Sequence, residues 1–159
     1  MKQETLFLKV VIFLMGLPIL ALCVLWLPWF AKDMLEIYPK LTSILYLLLI
    51  IMYTSALPYY FALFQTVRLL SYIDRNEAFS DLSVKALKKI KLSGITICIL
   101  YIAALPLIYL LADASDAPGM IIMGAGIAFA SFVIAVFAAV LEKLLKNAID
   151  IKSENDLTV

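Results

Sequence analysis

Charge is what this 159-residue sequence has least of: Asp, Glu, Lys and Arg make up 16% of it and leave four stretches without any. The stretches are residues 10–31, 41–67, 92–112 and 117–141, each 21 to 27 residues long. A soluble core helix keeps charge on its outer face, so rods that avoid charge all round exclude an ordinary water-facing protein. Histidine is absent, which removes imidazole haem ligation, most zinc chemistry and the commonest general base. The two cysteines, Cys23 and Cys98, fall inside uncharged stretches and form no C-x-x-C pair, so neither an exported disulfide nor a dithiol site is expected. No ionisable Asp, Glu, Lys or Arg lies within a stretch, which argues against a proton-coupled transporter. What remains between the rods holds no soluble catalytic domain. No catalytic, cofactor-binding or metal-binding residues are expected, and the protein is read as a non-enzyme.

What is present is hydrophobic. Apolar residues reach 65% against a usual ~45–50%, and mean hydropathy is +1.04. About 20 apolar residues in helical rise match the ~30 Å hydrocarbon core of a bilayer, so each stretch predicts a transmembrane helix. The fold class is an all-α membrane protein: a four-transmembrane-helix antiparallel bundle, with a cytoplasmic helical hairpin between spans two and three. It forms a single membrane domain over 1–159, with helices at about 6–30, 41–73, 84–111 and 118–149 and a polar tail at 150–159. The first stretch is too long for a secretory h-region and ends in bulky Trp26, Trp29 and Phe30, so it is a retained span.

Eleven of the thirteen basic residues fall on one side: Lys2, Lys9, the loop from Arg68 to Lys91, and Lys143, Lys146 and Lys152. Lys32 and Lys40 alone fall on the other. Lys- and Arg-rich short loops stay cytoplasmic, which puts both termini and the middle loop inside.

Helical patterning continues past Val67 to Ile73, longer than a bilayer needs, then breaks at Asp74-Arg-Asn-Glu77. Ser80 suits an N-cap, Asp81 suits the helix dipole, and Phe79 can staple against Val84. Val84, Leu87 and Ile90 make the following segment amphipathic against Lys85, Lys88 and Lys89. The loop thus reads as two helical extensions joined by a short turn. After Leu141 the fourth helix continues as a second amphipathic extension. Inside span four, Gly124, Ala128, Ser131, Ala135 and Ala139 form a ridge of small residues for close helix packing or self-association into a homo-oligomer. Tyr53, Ser55, Tyr59, Tyr60 and Gln65 on span two, with Thr96 and Tyr101 on span three, are expected mainly to hydrogen-bond between helices. A ligand pocket between those spans is the competing use.

Leu69-Leu-Ser-Tyr-Ile-Asp-Arg-Asn-Glu-Ala-Phe-Ser80, followed by Val84-Lys-Ala-Leu-Lys-Lys-Ile90, resembles a bacterial four-transmembrane-helix family catalogued as domain of unknown function 2975. The closing Glu154-Asn-Asp-Leu-Thr-Val159 is similar to the way many members end. The resemblance implies a multi-pass protein of the bacterial inner membrane, often encoded beside a small cytosolic helix-turn-helix regulator. The leading expectation is therefore docking or sequestration of such a regulator at the cytoplasmic face, on a platform formed by the hairpin and the amphipathic extension of span four, with the tail as a further contributor. Candidate docking residues are Leu70, Ile73, Arg75, Phe79, Leu82, Lys85, Leu87, Lys88 and Lys89. Membrane lipid is an expected partner, with the lysines near anionic headgroups. Direct nucleic-acid binding is not expected, because acids interrupt the basic residues and no recognition fold is present. The alternative is a small transporter or lipid-binding protein that uses the polar interior between spans two and three.

Overall fold

In the computed structural model, which describes residues 2–157, the chain folds into four long helical rods with no strand among the described residues. The first rod is composite: α1 (Lys2–Ala21), a π-helical segment (Leu22–Trp26) and α2 (Leu27–Ile37). A 3-10 turn, Pro39–Leu41, leads into α3 (Thr42–Asp74), followed by α4 (Asp81–Ser115) and α5 (Gly119–Leu157). All four rods are long and apolar enough to cross a membrane. Against the expected 6–30, 41–73 and 84–111, the first rod and α4 run longer at both ends, whereas α3 is offset by one residue. The polar tail is itself helical as far as Leu157, and Thr158 and Val159 lie outside the described residues.

Pro28 accounts for the π segment. Its ring excludes the carbonyl four residues back and it offers no N–H. The Leu27 amide instead reaches five residues back to the Leu22 carbonyl. With no amide at residue 28, the Cys23 carbonyl takes its bond from the Tyr53 hydroxyl of α3, at 2.8 Å. Just past Leu14, whose carbonyl Pro18 leaves without its helical amide, Tyr59 and Tyr60 donate to the neighbouring carbonyls of Met15 (2.8 Å) and Gly16 (2.6 Å). In hydrocarbon no water can serve a freed carbonyl, so the Tyr53 hydroxyl satisfies the first rod, and all three hydroxyls hold it to α3.

Two left-handed residues end helices. Asn76 (φ 60°) follows α3, where the Glu77 amide bonds the Tyr72 carbonyl and the Asn76 amide bonds that of Ile73. This is a Schellman closure with asparagine in the place glycine usually takes. Asp116 (φ 53°) closes α4 in the same way, with the Ala117 amide on the Ala112 carbonyl. Ser80 does occupy the N-cap position of α4, but its hydroxyl donates to the Glu77 carbonyl and caps no amide of that helix. Phe79 is exposed while Val84 is buried.

Packing is sequential. α4 lies between α3 and α5, the first rod lies on α3, and other helix pairs touch marginally at most. The buried residues of α5 are Gly124, Ala128, Ser131, Ala135, Ala138 and Glu142, alternating steps of four and three. That 3.5-residue period is the repeat of a left-handed seam. Ala138 takes the place expected of Ala139, which is only half-buried, because the ridge keeps the heptad and does not drift to steps of four. A Cβ on Gly94 of α4 would lie 3.0 Å from the Ser131 carbonyl oxygen and 3.2 Å from the Ala135 Cβ. At ~1.5 Å per residue α5 is nearly twice the ~30 Å of hydrocarbon. The connections at the other end are short, so the excess length of α3, α4 and α5 stands on the hairpin side.

Because backbone, not a flexible tip, faces Gly94, Gly94→Val is expected to cost about 1–3 kcal/mol. Gly126 faces open space, so Gly126→Ala should be neutral or stabilising by up to about 1 kcal/mol. Thermal midpoints of the two variants in detergent check the contrast.

Candidate functional site

At the hairpin end an apolar groove of about 400 Å³ runs between the two projecting extensions. Leu69 and Ile73 of α3 with Ala78 and Phe79 of the connecting turn form one wall. Leu87 of α4 lies at its base, and Leu141, Leu144, Leu145 and Ala148 of α5 form the other wall. Those α5 residues recur at i, i+3, i+4 and i+7, one face of a helix. Phe79 is 58% exposed and Leu144 59%, so large apolar surface stands open past the ends of the uncharged stretches at Val67 and Leu141.

The sequence candidates separate into three groups. Ile73 and Phe79 line the groove, and Leu87 does so while itself buried. Leu70 is buried and offers nothing to a partner, a correction that follows from the packing of α3 along α4. Arg75, Leu82, Lys85, Lys88 and Lys89 are exposed but lie outside the groove lining. No residue of the α5 wall was named among the candidates, although the amphipathic extension of span four was expected to share the platform with the hairpin.

Two charged clusters fix the groove's surroundings. Glu142, 6% exposed, receives Lys91 of α4 at 2.9 Å and Lys146 one turn on at 3.6 Å. It is the last member of the α5 seam and lies just past the final uncharged residue of that span. The Lys91 hydrogen bond holds the Glu142 carboxyl below the usual glutamate range, outweighing the burial that pushes it up, with Lys146 adding to the lowering. At the C-terminal end of α3, where the helix dipole disfavours an anion, Asp74 accepts the Thr5 hydroxyl and pairs with Lys9 at 3.4 Å. This ties the start of the first rod to the hairpin; the side chain of Lys2 lies outside what is described.

The tyrosines expected near the interior of spans two and three face the other way, toward the first rod, as the three carbonyl bonds require. Ser55 and Tyr101 do bridge α3 and α4, at 3.3 Å. The thiols of Cys98 and Cys23, buried and half-buried, are free. Among the described residues no three His, Cys, Asp or Glu side chains gather as metal ligands.

Residues 29–159 match the family described as "Protein of unknown function (DUF2975)". The chain is 57% identical, over 99% of its own length and 99% of the relative's, to "Uncharacterized membrane protein YoaS" of Bacillus subtilis (strain 168). No solved structure matches it.

Glu142→Gln leaves Lys91 half-desolvated without its counter-ion. The expected cost at neutral pH is about 1–3 kcal/mol, the penalty for stranding one partner of a buried polar pair. The folded carboxyl is depressed, so its contribution is fully present above the ordinary glutamate pKa of ~4.3 and is lost as pH falls through the folded value. Thermal midpoints against pH should therefore show the variant lower at neutral pH and converging on the wild type in acid. An unchanged neutral midpoint overturns the assignment.

Proposed function

The chain belongs to the DUF2975 family, and from that premise we propose that it is a non-enzymatic, multi-pass protein of the bacterial cell membrane that holds a small cytosolic helix-turn-helix regulator at its cytoplasmic face. The observation that carries the reading is the apolar groove between the hairpin and the α5 extension. A groove of this kind accepts the apolar face of an amphipathic helix, read by anchors at i, i+3, i+4 and i+7. Open apolar surface beyond the reach of lipid is rare on a protein without a partner. Charge asymmetry supports the orientation: eleven of the thirteen basic residues lie on the groove's side, which stays cytoplasmic under the positive-inside rule.

The mechanism is sequestration. A regulator helix seated between Phe79 and Leu144 is kept from DNA, and a change in span packing that widens or narrows the groove changes its affinity. The α5 wall is held to α4 by the seam and by Glu142–Lys91. The opposite wall belongs to α3 and its turn; α3 packs on α4 and is also tied to the first rod through Asp74.

Affinity capture of the detergent-solubilised protein, with the regulator encoded beside it co-expressed, tests this directly. Recovery should fall more than tenfold for Leu144→Asp or Phe79→Asp, as expected when an apolar anchor is lost from the centre of an interface. Leu57→Asn, on an exposed face of α3 within the span, should leave recovery unchanged. Recovery of no regulator by the wild type, or equal recovery by the groove variants, sinks the proposal. A cysteine placed at Lys85 should be labelled by an impermeant thiol reagent only after the cells are opened.

A further inference from the structure

A second apolar groove, of about 410 Å³, lies between the first rod and α3. Its floor is set by Gly16, where a side chain would begin 3.4 Å from the Tyr60 ring and 3.5 Å from Leu63. Phe13, Leu17 and Leu20 form one side and Phe64 and Val67 the other, while Lys9 closes the hairpin end. From Lys9 to Leu20 is about 16 Å of helix at ~1.5 Å per residue, close to half of the ~30 Å hydrocarbon thickness. The groove is therefore one leaflet deep, apolar along its length, and charged only at the end that meets the headgroups.

The charge at that end is net positive. Lys9 and Asp74 offset one another at 3.4 Å. Arg68 remains, with its guanidinium 5.8 Å over the ring of Phe64, a wall residue of the groove. That stacking draws an otherwise mobile cation to the mouth and leaves its N–H groups for an anion, since a guanidinium binds phosphate through a planar fork. We infer that this groove is a binding site for one anionic phospholipid of the hairpin-side leaflet, with an acyl chain against Gly16 and the headgroup phosphate on Arg68. The site lies away from the regulator groove and does not depend on it. It also explains why the first rod, which meets only α3 closely, is packed with a gap beside a glycine at this level: the chain of a lipid completes the contact.

The test uses the full-length protein reconstituted in phosphatidylcholine vesicles with and without phosphatidylglycerol. It is then extracted gently and weighed by native mass spectrometry for retained lipid. Wild type should keep one phosphatidylglycerol in preference to phosphatidylcholine. Arg68→Gln should reduce that preference about fivefold, the effect of one cation near the surface. Gly16→Leu should lose the retained lipid altogether, while Gly126→Leu, the same change at an open position, should keep it. Should Gly16→Leu fail to fold, Leu20→Trp, filling the groove from its deep end, is read in its place. Retention without headgroup preference, an Arg68→Gln variant that matches wild type, or filled-groove variants that still retain lipid each overturn the inference.

Discussion

Lipid gives apolar side chains no reason to leave it, so the close approach of α4 to α5 at Gly94 sets everything else. Without a hydrophobic drive, helices associate through surface fit and interhelical polar contacts. Gly94 lets the Ser131 carbonyl come within 3.0 Å of where a side chain would begin. Small residues on α5 then follow at heptad steps in both directions. The seam leaves the hydrocarbon at Glu142, where it changes chemistry from small side chains to an ion pair with Lys91. This placement is economical: a charge inside hydrocarbon is expensive, whereas at the boundary the pair continues the seam into water with its partner fixed.

The first rod is held by different means. It has no comparable ridge, and Pro28 frees the Cys23 carbonyl, which lipid cannot serve. Tyr53 supplies that missing donor from α3, and Tyr59 and Tyr60 add bonds to the Met15 and Gly16 carbonyls, so polar contacts from one helix attach the next. Such attachment is directional and sparse. It leaves room beside Gly16, whereas the α4–α5 seam leaves none.

How much of this was legible in the sequence follows from which interactions are periodic. Span number, the hairpin and the ridge on span four are written as runs and repeats, and the structure contains them. Ala139 was named where Ala138 carries the seam, because small residues at steps of four, three, four and four end only one residue beyond a strict alternation of four and three. Leu70 was named as a docking residue because the pattern on one helix does not reveal which face a second helix will cover. The α5 wall of the groove was visible as an amphipathic stripe, but nothing local says that Leu144 stands opposite Phe79, sixty-five residues away. The ion pair between Lys91 and Glu142, and the bonds from Tyr53 and Tyr60 to the first rod, were unreadable for the same reason. Each joins residues whose separation carries no period.

The asymmetry between the two attachments has a geometric consequence at the groove. Leu141, Leu144 and Leu145 flank Glu142 on the same turn of α5, so the ion pair that ends the seam also fixes that wall to α4. Leu69 and Ile73 lie within one turn or so of Asp74, which Thr5 and Lys9 of the first rod engage. One wall therefore belongs to the α4–α5 pair, and the other to α3, which packs along α4 and also carries the first rod. A displacement of the first rod acts on α3 through two side chains at the hairpin and three hydroxyls in the span. Because α3 also packs along α4, such a displacement reaches the groove wall only as far as that contact yields. The groove therefore lies between the α4–α5 seam and α3, the one helix that α4 and the first rod share.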